Sequence, residues 1–409
     1  MRRILKTLGA FAVVLMLVAC NANGSIGVPG AAGASNAPAS GSRHLQIWGP
    51  NVVAACLPSP GKAQCLALIR TGPRVVHDGG SGPEGGFTPS QLQAAYNLPS
   101  ASKGSGQTVA IVDAYDNPNV ASDLSFYRNY FGLPPANFTK YNQEGQTGNY
   151  PPTNEGWGLE IDLDVEMVSA SCPNCSIILV EANSWDISDV ETAEAEAVAL
   201  GAKIVSNSYA CYPGQCAFDQ SYYDAQGVTY LAAAGDDGYG TGVATPSGFD
   251  SVVSVGGTSL YTDTKSSRGY RETAWLGTDS GCSTQPKPSW QHDPGCSYRT
   301  ANDVAAVGDP ATGPAEYDSF GYGGWFVSGG TSTASPLLAG IFALAGNPTS
   351  QDGGKTFWNK KNRKKYLFPV THGYNGTCSP KYLCTDGTNE YGDYGGPTGW
   401  GTPNGIGAF

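Results

Sequence analysis

A serine and three carboxylates stand in contexts where they could do chemistry. Gly329-Gly330-Thr331-Ser332-Thr333-Ala334-Ser335-Pro336 leads into the apolar stretch 337–344. A serine placed there lies at a helix N-terminus, where unpaired N–H groups and the positive end of the dipole face its oxygen. The glycines let a substrate backbone come close, and Pro336 is expected in the first turn, whose N–H groups lack partners. A plain helix cap is the competing reading, but the whole Gly-Gly-Thr-Ser-x-x-x-Pro string favours a nucleophile. A serine hydroxyl is weakly nucleophilic and needs a base. His44, His77, His292 and His372 are the four histidines. None follows a strand in a His-Gly-Thr context, so a Ser-His-Asp arrangement has no convincing histidine. Carboxylates offer the alternative. Glu160 and Asp164 lie four residues apart in a helix-compatible segment and share one face. Two acids that close cannot both ionise cheaply, so a proton is shared. Glu160 then reads as a general base oriented by Asp164 in acidic medium; the competing reading is a solvated acidic face. Gly235-Asp236 ends an apolar strand. Sites in open parallel sheets form beyond the carboxyl ends of strands. A protonated Asp236 there can donate to an oxyanion, although a plain turn aspartate would look the same.

Holding these groups together requires a sheet. Apolar runs at 108–112, 176–180, 204–207, 228–234 and 252–255 read as buried strands. Stretches 156–171, 188–200, 216–226 and 332–345 read as helices. Continuous apolar strands alternating with helices imply an α/β protein with a mainly parallel central sheet covered on both faces. Thr88-Pro89 is expected to open a short helix, and Ser188-Asp-Val-Glu191 reads as a capping box. The run Gly79-Gly80-Ser81-Gly82-Pro83-Glu84-Gly85-Gly86 reads as a linker.

With Lys+Arg 23 against Asp+Glu 34, the net charge of −11 argues against a nucleic-acid partner. The basic run at 360–365 reads as a solvated loop. Residues 1–19 have a charged start and an apolar stretch too short to span a bilayer, the pattern of an export signal. Leu17-Val18-Ala19-Cys20 looks like a bacterial lipobox, so Cys20 is the expected lipid anchor at the cell surface; ordinary secretion is the alternative. Residues 20–45 read as a flexible tether. Setting Cys20 aside leaves ten of the 11 cysteines. They fall as near neighbours, Cys56/Cys65, Cys172/Cys175, Cys211/Cys216, Cys282/Cys296 and Cys378/Cys384, and export makes disulfides the default. Connectivity is not fixed by such spacing.

Together these strings resemble the sedolisins, the serine-carboxyl peptidases. The resemblance runs over about 88–409 through Glu160-x-x-x-Asp164, Ser206-Asn-Ser208, Gly235-Asp236-x-Gly238, Gly330-Thr-Ser332-x-x-x-Pro336 and Thr398-Gly399-Trp400-Gly401. It implies a subtilisin-like three-layer fold and an exported, monomeric enzyme that hydrolyses peptide bonds of proteins in acid without a cofactor for the chemistry. By the same resemblance Ser332 is the nucleophile, Glu160 its base, Asp164 the orienter of Glu160, and Asp236 the oxyanion donor. Asp113 matches a carboxylate placed behind them.

Three departures stand out. Residues 46–87 are a short pro-segment or extension where the family carries a large prodomain. The family's structural calcium site uses two aspartates, where this chain has Pro369 and Gly395, with Asp393 close by. Tyr209 stands where many members have tryptophan. These departures keep open a second reading, an inactive surface protein that binds peptide or wall material on the same scaffold. A glycosidase with paired acids is a third, but it leaves Ser332 unexplained.

Overall fold

Thr108–Ala114, a run of β-branched and small apolar residues, is a central strand of an eight-stranded sheet in the computed structural model. The structure describes residues 47–72, 79–348, 353–358 and 363–409. The export signal, Cys20, the tether, His44 and His77 lie outside the described residues. Thr108–Ala114 pairs in parallel with Ser176–Ala182 on one side and Ile204–Asn207 on the other. The sheet continues in parallel through Asn137–Asn142 at one end, and through Thr229–Ala233 and Val252–Thr262 toward the other. Val304–Val307 also joins Val252–Thr262 in parallel, and only Tyr270–Ala274 runs antiparallel.

Period-two alternation along the central strand feeds two cores. Val109 and Ile111 belong to the layer formed with helices Pro89–Ala95, Val120–Phe131, Glu155–Ser171 and Thr331–Ala345. Ala110 and Val112 face the opposite layer, built on helix Ile187–Ala199. The expected two-sided α/β arrangement is therefore present. Helices Glu155–Ser171 and Thr331–Ala345 lie against each other. A Cβ at Gly340 would stand 2.0 Å from the Ser171 Oγ, so glycine sets how close they come. Gly340→Ala is expected to cost about 1–3 kcal/mol by overpacking. It should also lower turnover by shifting Ser332 against Glu160. A thermal melt run beside a rate measurement checks both.

Several local expectations are corrected. Residues 216–226 hold only the short turn Gln220–Tyr223, because the Cys211–Cys216 bridge and the Asp219 cap hold this stretch to the surface of the fold. Helix Ile187–Ala199 begins after Asp186, so Ser188 lies inside it and the capping box does not form. The Glu191 carboxylate instead accepts from the Asp219 N–H at 2.7 Å. A capping box does form at Thr88 with Gln91. Residues 79–86 are not a free linker. Arg70 bonds the Glu84 carbonyl, and Gly85, Gly86 and Phe87 are buried. The disulfides are Cys56–Cys65, Cys172–Cys175, Cys211–Cys216, Cys282–Cys296 and Cys378–Cys384, as sequence neighbourhood suggested.

The extension before residue 87 is part of the fold. Val52–Ala54 and Leu68–Arg70 form an antiparallel hairpin. Leu68–Arg70 then pairs with Gly324–Gly329, and that strand with Ala315–Asp318, giving a second, four-stranded sheet. No helix among the described residues is long and apolar enough to cross a membrane.

Candidate active site

Gly324–Gly329 delivers the chain to Gly330, whose φ of 93° is open to glycine and strained for other residues. Helix Thr331–Ala345 starts immediately after, with Ser332 in its first turn and fully buried. Pro336 lies one turn further in than the sequence suggested. Its missing N–H leaves the Ser332 carbonyl without a helical partner, and the Ser208 hydroxyl reaches that oxygen at 3.4 Å.

Helix Glu155–Ser171 is capped by the Asn154 side chain, which accepts from the Trp157 N–H. It is buried on every side from Trp157 to Ser171, so its acids are not a solvated face. The four alternate in pairs. Glu160 and Asp164 point toward Ser332 and Ser208. Asp162 and Glu166 point away, accepting from Asn117 at 2.6 Å and from the Tyr317 N–H at 2.9 Å. Asp164 Oδ1 accepts from the Ser208 hydroxyl at 2.7 Å, and the Ser332 hydroxyl donates to the Ser208 carbonyl at 3.3 Å. Ser208 thus ties the two helices together, a link that sequence reading quoted without assigning.

Burial pushes Glu160 up to about 8, against the pull of Ser332 and of the Ala67 and Leu66 N–H groups toward the ionised form. Burial raises Asp164 well above the usual carboxylate range, and the charges of Asp113 and Glu160 raise it further. Asp113, one residue before the end of the central strand, is raised in turn by burial, Glu160 and Glu181. Neither Asp113 oxygen has a hydrogen-bond partner among the described residues. Of the three, Glu160 is the one that accepts from N–H groups, so a single negative charge in this cluster is best held there.

Asp236 follows strand Thr229–Ala233 at the carboxyl edge of the sheet. Its Oδ1 accepts from the Thr331 N–H at 2.8 Å and the Thr331 hydroxyl at 2.9 Å. Its Oδ2 is buried with no partner among the described residues and borders Gly330. Burial raises this group well above the usual range, which favours the protonated form that could donate. The described histidines, His292 and His372, are exposed.

Sequence reading missed two backbone partners of Glu160. Leu66 and Ala67 each donate a backbone N–H to Glu160 Oε2, at 2.8 and 2.6 Å. The available signal was the apolar run around Cys65, itself paired with Cys56. The calcium positions do not fit a metal. Pro369 and Gly395 offer no side-chain ligand, and Asp393 pairs loosely with Lys364 at 3.5 Å. The Asp386 carboxyl fills the space beside Gly395 and accepts from Thr398.

A mainly parallel sheet with a serine-bearing helix at its carboxyl edge is the subtilisin-like fold. The Subtilase family model matches residues 147–367, more than half the chain, and the chain belongs to that family. Kumamolisin of Bacillus sp. (strain MN-32) is 30% identical over 63% of this chain and 51% of its own length. Sedolisin of Pseudomonas sp. (strain 101) is 26% identical over 80% of this chain and 60% of its own. The chain therefore spans about half to three-fifths of these relatives. The solved Pseudomonas sedolisin, a serine-carboxyl proteinase complexed with two molecules of pseudo-iodotyrostatin, superposes with a TM-score of 0.66. That match covers 78% of this chain and 95% of the other at 26% identity, and it places this chain with the sedolisins.

Proposed function

We propose that the protein is an exported serine-carboxyl peptidase that hydrolyses peptide bonds of proteins at acidic pH. The observation that carries this reading is the cluster of buried Glu160 and Asp164 beside Ser332, with buried Asp236 held by Thr331 at the start of the same helix. In the proposed reaction the Ser332 hydroxyl adds to a substrate carbonyl and gives its proton to Glu160. Asp164, held by Ser208, keeps Glu160 in place, and Asp113 behind them adds a further proton-holding acid. The oxyanion takes a hydrogen bond from Asp236 Oδ2. Glu160 returns the proton to the leaving amine, and water then cleaves the acyl-enzyme by the same route. No step needs a cofactor.

An acid range follows from the protons that Asp164, Asp113 and Asp236 must keep. Burial holds Glu160 high even though the Leu66 and Ala67 N–H groups favour its charged form. Water entering an emptied cleft would lower it and free a charged base in acid. Five disulfides fit an oxidising compartment, in line with export and anchoring at Cys20. A monomer is the assumed working unit.

The test is hydrolysis of an unfolded protein across pH 3–7. Activity confined to the acid side supports the reading, and a neutral optimum overturns it. In the same assay Asp236→Ala is expected to reduce turnover about 10²–10³-fold, the usual cost of an oxyanion donor.

A further inference from the structure

We infer that residues 64–69 lie in the cleft as a bound peptide, and that the Cys56–Cys65 bridge keeps them there as an internal inhibitor. The inference rests on reading the cleft as a peptide-binding site.

Backbone pairing brackets one peptide bond from both sides. Gln64 and Cys65 pair antiparallel with Ala210 and Tyr209, immediately after Ser208. Leu68 and Ile69 pair antiparallel with Gly329 and Ser328, immediately before the Ser332 helix. The Leu66–Ala67 bond therefore spans the gap between the two sides of the candidate site. Strand addition of this kind is how extended peptides bind, with ladders supplying affinity and pockets supplying selectivity.

The atoms of that bond face the groups a substrate would face. Its nitrogen, Ala67 N, is 2.6 Å from Glu160 Oε2. Its oxygen lies against Gly330. A Cβ at Gly330 would stand 2.0 Å from the Leu66 oxygen and 2.7 Å from Asp236 Oδ2. The Leu66 side chain is 3% exposed and fills an apolar pocket with Ala210, Tyr212, Ala233 and Ala244. That pocket sets a preference for leucine, or a side chain of similar size, on the carbonyl side of the cleaved bond.

The segment is tied at both ends to one strand. The bridge joins Cys65 to Cys56, and Leu68–Arg70 pairs with Val52–Ala54. Ala55 N–H donates to the Ala67 carbonyl at 2.9 Å, closing the hairpin across the bond. The two ties flank Leu66–Ala67, so the segment stays seated whether that bond is intact or cut. Closing a loop this short shifts an open–closed balance by about one to two powers of ten. A competing substrate then sees its apparent affinity reduced by the open fraction.

Binding can be separated from turnover in a Ser332→Ala background. The probe is a fluorescent peptide, Ala-Gln-Ala-Leu-Ala-Leu-Ile, copied from residues 63–69 with alanine for cysteine. Three chains are compared at pH 4: S332A alone, S332A with C56S/C65S, and S332A with L66D. The peptide is expected to bind tenfold or more tighter to the second and third than to the first. L66D leaves the bridge intact, so it reads the same balance if the bridge variant does not fold. Equal binding by all folded chains, or binding by none, overturns the inference.

With Ser332 restored, C56S/C65S should lower KM for a leucine-containing peptide at least tenfold and leave kcat within a few-fold. Equal hydrolysis by wild type and C56S/C65S overturns the inhibitor and leaves the peptidase standing. No hydrolysis by either chain, with peptide binding that still rises on opening, overturns the peptidase and leaves the occupied cleft standing.

Discussion

Ser332→Ala is expected to lower kcat by about 10⁴–10⁶, the loss seen when a serine nucleophile acting within a unit is removed. The unit here is Ser332, Glu160 and Asp164, tied through Ser208 at 2.7 Å to Asp164 and 3.3 Å to the Ser332 hydroxyl. Glu160→Gln should cost nearly as much, because glutamine keeps the shape of the side chain and cannot take a proton. The double variant should be no slower than the worse single, since a base without its nucleophile has nothing to activate. Asp164→Asn should cost less and change the pH profile instead. The charge of Glu160 is among the causes that raise Asp164, so the asparagine removes one proton-holding site from the pair and alters how the pair titrates. These rates are best measured in the C56S/C65S chain, so that the seated segment does not mask them. Activity surviving in Ser332→Ala, or a multiplicative loss in the double variant, would remove the serine mechanism.

How much of this was legible in sequence depends on the range of the interaction. Ser332, Glu160, Asp164 and Asp236 each stand in a short local string, so spacing and resemblance singled them out as candidates before any fold was known. The sheet was legible for the same reason, because Thr108–Ala114 and its neighbours are continuous apolar runs. What escaped depends on partners far away in the chain. Ser188 had the right neighbours for a cap, but Asp219, 28 residues beyond Glu191, takes the glutamate. Residues 79–86 have a linker's composition, yet Arg70 and the strand at 315 hold them down. The seated segment is the largest gap. Its contacts with Glu160 bridge 93 and 94 residues, and nothing in the string Gln64-Cys65-Leu66-Ala67 names that partner. A solvated acidic face was the competing reading of helix Glu155–Ser171, and packing against Thr331–Ala345 and the second sheet excludes it.

Those buried acids make the fold itself depend on pH. Glu160 and Glu194 are both pushed by burial from an ordinary 4.5 up to about 8. Asp162, Glu166 and Glu316 are raised well above the usual range by burial too, and no ion pair engages them among the described residues. The folded state favours these protons, while the unfolded chain releases them near the ordinary values of 3.8 for aspartate and 4.5 for glutamate. Their contribution is therefore complete below the unfolded value and is lost as pH rises toward the folded one. Each group costs about 1.4 kcal/mol per pH unit inside that window. For Glu194 alone, the rise from pH 4.5 to 7 amounts to about 3 kcal/mol, a large fraction of the stability of an ordinary domain. Melting temperature is expected to be highest in acid and to collapse between about pH 6 and 8, so a protein working in acid would inactivate on neutralisation. Glu194→Gln isolates one group away from the cleft. Its side chain can still accept from the Tyr209 hydroxyl, which bonds Glu194 at 2.9 Å, but cannot ionise. The slope of stability against pH should flatten in this variant by about 1.4 kcal/mol per unit between pH 5 and 7. Denaturant titrations at half-unit intervals measure it. A wild-type melting temperature level from pH 4 to 8 would show that the interior accepts these charges, and an unchanged slope in Glu194→Gln would show that Glu194 is not one of the groups responsible.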